Sequence, residues 1–143
     1  MSYQEWTVEG YGVCVPNMNA TNLINFIRQS PQVTAGFQDF LGADVAIDDA
    51  ELDDFEEYGD YIECSGIAGV IVSVMNDLYG LWFDAVIDIN GHSYVVYAPR
   101  YPWSMTEEDR SLDINELRYM FLEQAEVLGV QWDPDFHTIH CGG

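Results

Sequence analysis

The sequence predicts an α+β fold, a single domain over residues 1–143 in which a small antiparallel sheet with an Asn-Gly hairpin packs against several helices. The hairpin is the first observation: LWFDAVIDI-NG-HSYVVYAP sets Asn90-Gly91 between two alternating runs, the strongest short-range hairpin signal. The second is Ser65 to Tyr79, SGIAGVIVSVMNDLY, where Ile67, Val70, Ile71, Val74 and Leu78 recur at helical spacing and Ala68, Val72 and Met75 make the other side apolar too. Begun by Ser65 and closed by Gly80, this run is long for a strand, and a helix apolar nearly all round is buried centrally. The third is size, since 143 residues with 48% hydrophobic composition bury a core without disulfides or a structural metal.

The remaining elements follow in chain order. Gln4 to Val15 alternates as a strand, with Gly10 and Gly12 marking a bulge or bend, and Pro16 ends it. Leu23, Ile24, Phe26 and Ile27 then share a helix face. Ser30 as cap and Pro31 as first residue start a second short helix, which carries Val33, Phe37 and Leu41 inward and stops at Gly42. A short helix is expected from about Asp49 to Tyr58, capped by Asp48 or Asp49, anchored by Leu52 and Phe55 and ended by Gly59.

In the hairpin a type I′ turn sets Ile89 opposite His92, Ile87 opposite Tyr94 and Ala85 opposite Val96. That leaves Asp84, Val86, Asp88, Ser93, Val95 and Tyr97 on the outer face. Arg100 to Ser104 reads as an aromatic loop, followed by a short turn capped by Thr106 with Asp109. Asp113 with Glu116 caps the longest helix, which turns Ile114, Leu117, Phe121 and Leu128 inward and ends at Gly129. Asp133-Pro134-Asp135 is a turn, and FHTIHC is a last short strand.

Charge narrows the function. With 25 Asp and Glu against 4 Arg and no Lys, the formal charge is −21, far beyond what solubility requires, and it costs self-repulsion in the folded state. Disorder does not explain it, because 4 Trp, 9 Tyr and 7 Phe are the opposite of an aromatic-poor unfolded composition. A halophilic surface spreads its acids, whereas here ten carboxylates and no base fall within the twenty residues Asp44 to Glu63, DVAIDDAELDDFEEYGDYIE. Such a chain is repelled by DNA, RNA and anionic membranes, and its natural partner is a basic surface. With no positive n-region, no apolar h-region and no long apolar run, it reads as cytoplasmic. Cys14, Cys64 and Cys141 are odd in number and far apart, which suits reduced thiols.

Sites for chemistry are few. His137, His140 and Cys141 would share a face only on a helix. On a strand His137 and His140 point to opposite sides, and His137 and Cys141 stand roughly 13 Å apart. The second ligand pair that structural zinc sites need is missing, so no metal or other cofactor is expected. A cysteine nucleophile needs an electropositive setting, and this field is negative, so Cys14 and Cys64 read as buried packing residues. There is no phosphate-binding loop, dinucleotide fingerprint or nucleophile elbow. DDAELDDFEEYGD lacks the Gly at loop position 6 and the spacing of a calcium-binding EF-hand.

The acidic run has a physical reading of its own. Carboxylates at i and i+4 on a helix lie about 6 Å apart, close to the separation of successive phosphates along a strand whose rise is about 3.4 Å per residue. A rigid array of this kind offers a Lys/Arg channel the field of a phosphate chain and attracts it quickly. The residues expected to make that contact are Asp48, Asp49, Glu51, Asp53, Asp54, Glu56, Glu57 and Asp60, with Asp84 and Asp88 as a second patch. Tyr58 and Tyr61 either stack on partner Arg side chains or pack in the core.

In being short, strongly acidic, aromatic-rich and free of catalytic motifs, the chain resembles the DNA-mimic inhibitors of phages and mobile elements, of the anti-CRISPR and anti-restriction type. The resemblance is of composition, with no family motif. It implies a non-enzymatic inhibitor, a monomer or small homo-oligomer, that occupies the basic DNA- or RNA-binding groove of a nuclease or other nucleic-acid-binding protein, a CRISPR effector among them. Three other readings stand beside it: an immunity protein for a basic toxin nuclease, a small metal- or cysteine-dependent enzyme using His137, His140 and Cys141, and an acidic adaptor domain.

Overall fold

The computed structural model describes residues 4–97 and 112–142. The expected aromatic loop and the turn after it, including Tyr101, Pro102 and Trp103, lie outside the described residues. Four strands, β1 (Glu5–Cys14), β2 (Phe83–Ile87), β3 (Ser93–Tyr97) and β4 (Asp135–Gly142), form one antiparallel sheet in the order β2-β3-β1-β4. Among the described residues five α-helices pack with it: α1 (Ala20–Ile27), α2 (Pro31–Leu41), α3 (Leu52–Glu63), α4 (Gly66–Tyr79) and α5 (Ile114–Leu128). The fold is α+β.

Local chemistry starts most helices where the sequence places them. Asn19 Oδ1 accepts the Asn22 N–H at 2.8 Å, and Ser30 Oγ accepts the Val33 N–H at 3.2 Å ahead of Pro31. Asp113 Oδ1 accepts the Asn115 N–H at 2.7 Å, and Gly129, at φ 67°, closes α5 in the left-handed cap that favours glycine. Helix α4 is the buried centre, with Val70, Ile71, Val74 and Met75 fully enclosed. It packs on β2 and β3, while α5 packs on α1 and β1. Between α4 and α5 a polar chain runs from buried Gln124 out to the surface: Gln29 Nε2 donates to Gln124 Oε1 (2.7 Å), Gln124 Nε2 to the Tyr79 hydroxyl (2.8 Å), and that hydroxyl to exposed Glu123 Oε1 (2.6 Å). Each buried polar group in that chain has a partner, which is what keeps it from costing stability.

Each face of the sheet carries buried residues, while Trp6 and Phe136 on its β1–β4 side are exposed. Tyr11, Val13, Phe83, Val95 and Tyr97 join the main core under the helices. On the opposite face Val86, Val96, Ile139 and Cys141, flanked by Val8 and Tyr94, make a second, smaller core drawn from all four strands. This is possible because the sheet curls until its two edges meet: the Ile89 N–H, in the turn after β2, donates to the His140 carbonyl of β4 at 2.8 Å. Gly10 and Gly12 permit the curl, since a Cβ at Gly12 would sit 2.0 Å from the Val95 carbonyl oxygen.

The hairpin departs from its expected register. Asp88 pairs with His92 through an Asp88 N–H to His92 carbonyl bond of 2.8 Å, and Val86 lies opposite Tyr94, Ala85 opposite Val95. The loop is therefore three residues, Ile89 to Gly91, with only Gly91 at positive φ (85°), and not a type I′ turn, which needs positive φ at both central residues. The cause is the Asp88 carboxylate, whose Oδ1 accepts the Asn90 and His92 N–H groups at 2.9 and 2.8 Å. The one-residue change moves the side chains of β3 to the opposite faces, so Val95 and Tyr97 point to the main core and Tyr94 and Val96 to the small one.

Among the described residues no single helix is long and apolar enough to cross a membrane. Helices α3 and α4 reach that length only together, across a 68° bend, with α4 buried in the core.

Candidate interaction surface on the acidic helix

The acidic run folds as a single-turn 3-10 helix, Ile47–Asp49, followed by α3. Helix α3 starts later and ends later than the sequence suggested. Its cap is Glu51, whose backbone N–H donates to Asp54 Oδ2 at 2.9 Å, so neither Asp48 nor Asp49 is the cap. Its anchors are Phe55, stacked on Phe37 at 4.5 Å between ring centroids, and Tyr58, tilted against Phe37 and Phe40. Leu52 is not an anchor, being 38% exposed.

Gly59 does not stop the helix. It is buried inside it, where a Cβ would sit 1.6 Å from the Gly66 carbonyl oxygen, and it lets α3 and α4 touch backbone to backbone. The turn between them is made by Cys64 and Gly66 at positive φ, 54° and 59°, and the Gly66 N–H is held by Asp60 Oδ1 at 2.9 Å.

This packing sorts the expected contact residues by what each carboxylate is doing. Asp48 is paired with Arg28 at 2.6 Å. Asp54 caps α3 and Asp60 secures the start of α4. Asp88 shapes the hairpin turn and its side chain is only 13% exposed, with His92 Nδ1 at 3.2 Å. Burial alone would raise its pKa, but the N–H groups of His92 and Asn90 and the His92 ring outweigh that and hold the carboxyl below its usual range. Asp84 is half-buried on the same sheet face. The open second patch expected from Asp84 and Asp88 is thus not an array of projecting charges.

Asp49, Glu51, Asp53, Glu56 and Glu57 remain, all exposed. None of them forms an ion pair among the described residues. Asp53, Glu56 and Glu57 lie at i, i+3 and i+4 on the face of α3 opposite Phe55 and Tyr58, so the core fixes the helix and the helix fixes the charges. Tyr58 is a core residue; Tyr61 is 76% exposed and lies 5.7 Å from the Phe40 ring, an aromatic pair at the margin of the acidic face. Phe40 was not singled out from sequence. Its spacing of three from Phe37 on α2 was the available signal.

The other candidate cluster is not assembled. Residues 135–142 form a strand, so His137 and His140 fall on opposite faces. Among the described residues no group of three or more His, Cys, Asp or Glu side chains is arranged to hold a metal ion. Cys14 and Cys64 are exposed, contrary to the expectation that they pack inside; only Cys141 is buried, because it is the one that faces the small core. Desolvation of the sulfur, partial for Cys14, comes first and the Asp88 charge second in pushing the Cys14 and Cys141 thiols above their ordinary value, which disfavours a thiolate at neutral pH.

No protein-family model matches the chain, and neither a curated protein nor a solved structure is significantly similar to it.

Proposed function

We propose that the protein inhibits a nucleic-acid-handling defence enzyme, of the anti-CRISPR or anti-restriction kind, by presenting α3 to a basic DNA- or RNA-binding groove. The observation that carries the reading is the row of Asp53, Glu56 and Glu57, exposed, without ion pairs among the described residues, and mounted on a helix pinned by Phe55 and Tyr58; Asp49, in the 3-10 turn before that helix, is exposed and unpaired among the described residues too. A solvated acidic face on an ordinary protein is interspersed with Lys, and this chain has none. Charges held in place before encounter lose little freedom on binding and steer a cationic groove toward the helix.

The test is competition. The immobilised protein is challenged with lysate from bacterial cells, and retained proteins are eluted either with duplex nucleic acid or with salt. The expected partner binds nucleic acid, is released by both eluents, and is not retained by a variant carrying Asp49→Asn, Asp53→Asn, Glu56→Gln and Glu57→Gln. A partner held equally by that variant, and indifferent to nucleic acid and salt, overturns the reading.

A further inference from the structure

Of the asparagines in the chain, only Asn90 is followed by glycine. It lies in the exposed loop between β2 and β3, and its carboxamide makes no hydrogen bond among the described residues. Other asparagines are occupied: Asn76 holds both backbone groups of Phe83, Asn22 donates to the Leu128 carbonyl and Asn19 caps α1. Space around Gly91 is open, since a Cβ added there would meet nothing within 4 Å. The backbone nitrogen after an asparagine can close a five-membered ring on the side-chain carbonyl carbon, and glycine offers that nitrogen with no side chain in the way. Two contacts restrain it here. The Gly91 N–H donates to the Asp88 carbonyl at 3.0 Å, and Asp88 Oδ1 accepts the neighbouring Asn90 and His92 N–H groups at 2.9 and 2.8 Å.

We propose that Asn90 is a site of self-modification, at which the chain deamidates whenever the turn braced by Asp88 opens. The Gly91 nitrogen bonds to Asn90 Cγ and the Cγ–Nδ2 bond breaks. The proton lost by the Gly91 nitrogen, carried through water, leaves with the amide as ammonia. Water then opens the cyclic imide: cleavage between the Gly91 nitrogen and Cγ gives aspartate, and cleavage between that nitrogen and the Asn90 backbone carbonyl carbon gives isoaspartate. No oxidant or reductant takes part. Either product places a new carboxylate in the same turn as Asp88, and isoaspartate also lengthens the main chain by one methylene. The altered turn no longer holds the Ile89 N–H against the His140 carbonyl, and the seam between the sheet edges loosens. The site is separate from α3 and does not depend on the phosphate-mimic reading.

The test incubates the native full chain, the chain unfolded in guanidinium chloride and the Asp88→Ala variant under the same mildly alkaline conditions. Peptide mass follows each asparagine, and enzymatic methylation follows isoaspartate. The native protein should gain an acid at Asn90, more slowly than the unfolded chain, while exposed Asn17, which precedes Met18, stays an amide over the same period. Asp88→Ala should speed the native reaction about tenfold, the change that goes with losing one hydrogen bond to a charged group. Asp88→Asn keeps the shape of the side chain without its charge and should fall between; it carries the test if the alanine variant unfolds. The Ile89 amide of the isoaspartate form should exchange with solvent faster than in fresh protein. A native Asn90 that stays intact while the unfolded chain reacts, a rate indifferent to both Asp88 variants, or an unchanged Ile89 amide overturns the proposal.

Discussion

The Ile89 N–H donates to the His140 carbonyl at 2.8 Å and so joins the two edges of a four-stranded sheet. The contact closes one end of the sheet around Val86, Val96, Ile139 and Cys141, and it removes an exposed backbone donor. At the other end of β2 the Asn76 carboxamide pairs with both the N–H and the carbonyl of Phe83, at 2.6 and 3.2 Å. Both ends of that edge strand are thereby closed to pairing with a second chain, a safeguard against edge-to-edge association.

The curl that brings Ile89 to His140 depends on Gly12. Replacing a strand glycine by alanine ordinarily helps, because it reduces the freedom of the unfolded chain. Here the added Cβ meets the Val95 carbonyl at 2.0 Å and the Val96 Cα at 2.7 Å. Gly12→Ala should therefore destabilise the protein by about 2 kcal/mol or more, the cost of overpacking. Urea unfolding measures it, and equal or greater stability would show that the strand relaxes without loss.

Asp88 makes the hairpin turn sensitive to pH. Its folded pKa lies below the ordinary value of 3.8, so its stabilising effect is complete above that value and is lost as pH falls through the folded value. The stability gap between wild type and Asp88→Ala should be present at neutral pH and shrink as pH falls below the ordinary carboxylate value of 3.8. A gap constant across that range would mean that the charge of Asp88 does not act on the turn. Gly91→Val probes the same turn from the backbone: at φ 85° a β-branched residue is strained, and a loss of about 1 kcal/mol or more is expected in thermal unfolding.

The hairpin also shows where sequence reasoning stops. Asn90-Gly91 correctly marks a turn, but loop length was decided by a side chain outside the dipeptide, Asp88, and the register of β3 followed from it. Helix starts at Ser30 and Asp113 were legible because each cap acts within three residues of itself. Gly59 was misread for the opposite reason. Its meaning lies in Gly66, on another helix, and a glycine chosen for close approach looks the same in sequence as a glycine that ends a helix. The acidic face was legible in composition, yet which carboxylates project and which cap or brace depended on a distant contact at Arg28 and on turn geometries at Gly66 and His92 that composition does not encode.

Gly59→Ala separates the two meanings of that glycine. If Gly59 were a simple break within a helix, alanine would improve helix propensity by about 1 kcal/mol. A Cβ 1.6 Å from the Gly66 carbonyl oxygen predicts the reverse, a loss of about 2 kcal/mol or more as α3 and α4 are forced apart. The sign of the change in the urea midpoint decides between them.

Whether the acidic face works against folding can be tested without any partner. Asp53 and Glu57 are like charges one turn apart on α3, Glu56 and Asp60 are another such pair, and no basic residue lies in the run to relieve them. Like-charge pairs at this spacing destabilise a helix by about 0.2–0.5 kcal/mol each. The repulsion acts through solvent and is screened within about 10 Å at 0.1 M salt. Wild-type stability should therefore rise with added sodium chloride. The variant with Asp49→Asn, Asp53→Asn, Glu56→Gln and Glu57→Gln should be more stable than wild type by about 0.5–1 kcal/mol at low salt, with a flatter salt dependence. Asp54 and Asp60 are left unchanged because they hold the Glu51 and Gly66 N–H groups, and Asp60→Asn would confound charge with a lost brace. If the variant is instead less stable, the carboxylates are structural and the proposed role for this face falls with them. If it is more stable but no longer retains a partner, the face is one that weakens the fold and serves binding, which is the pattern a surface shaped for a basic groove should show.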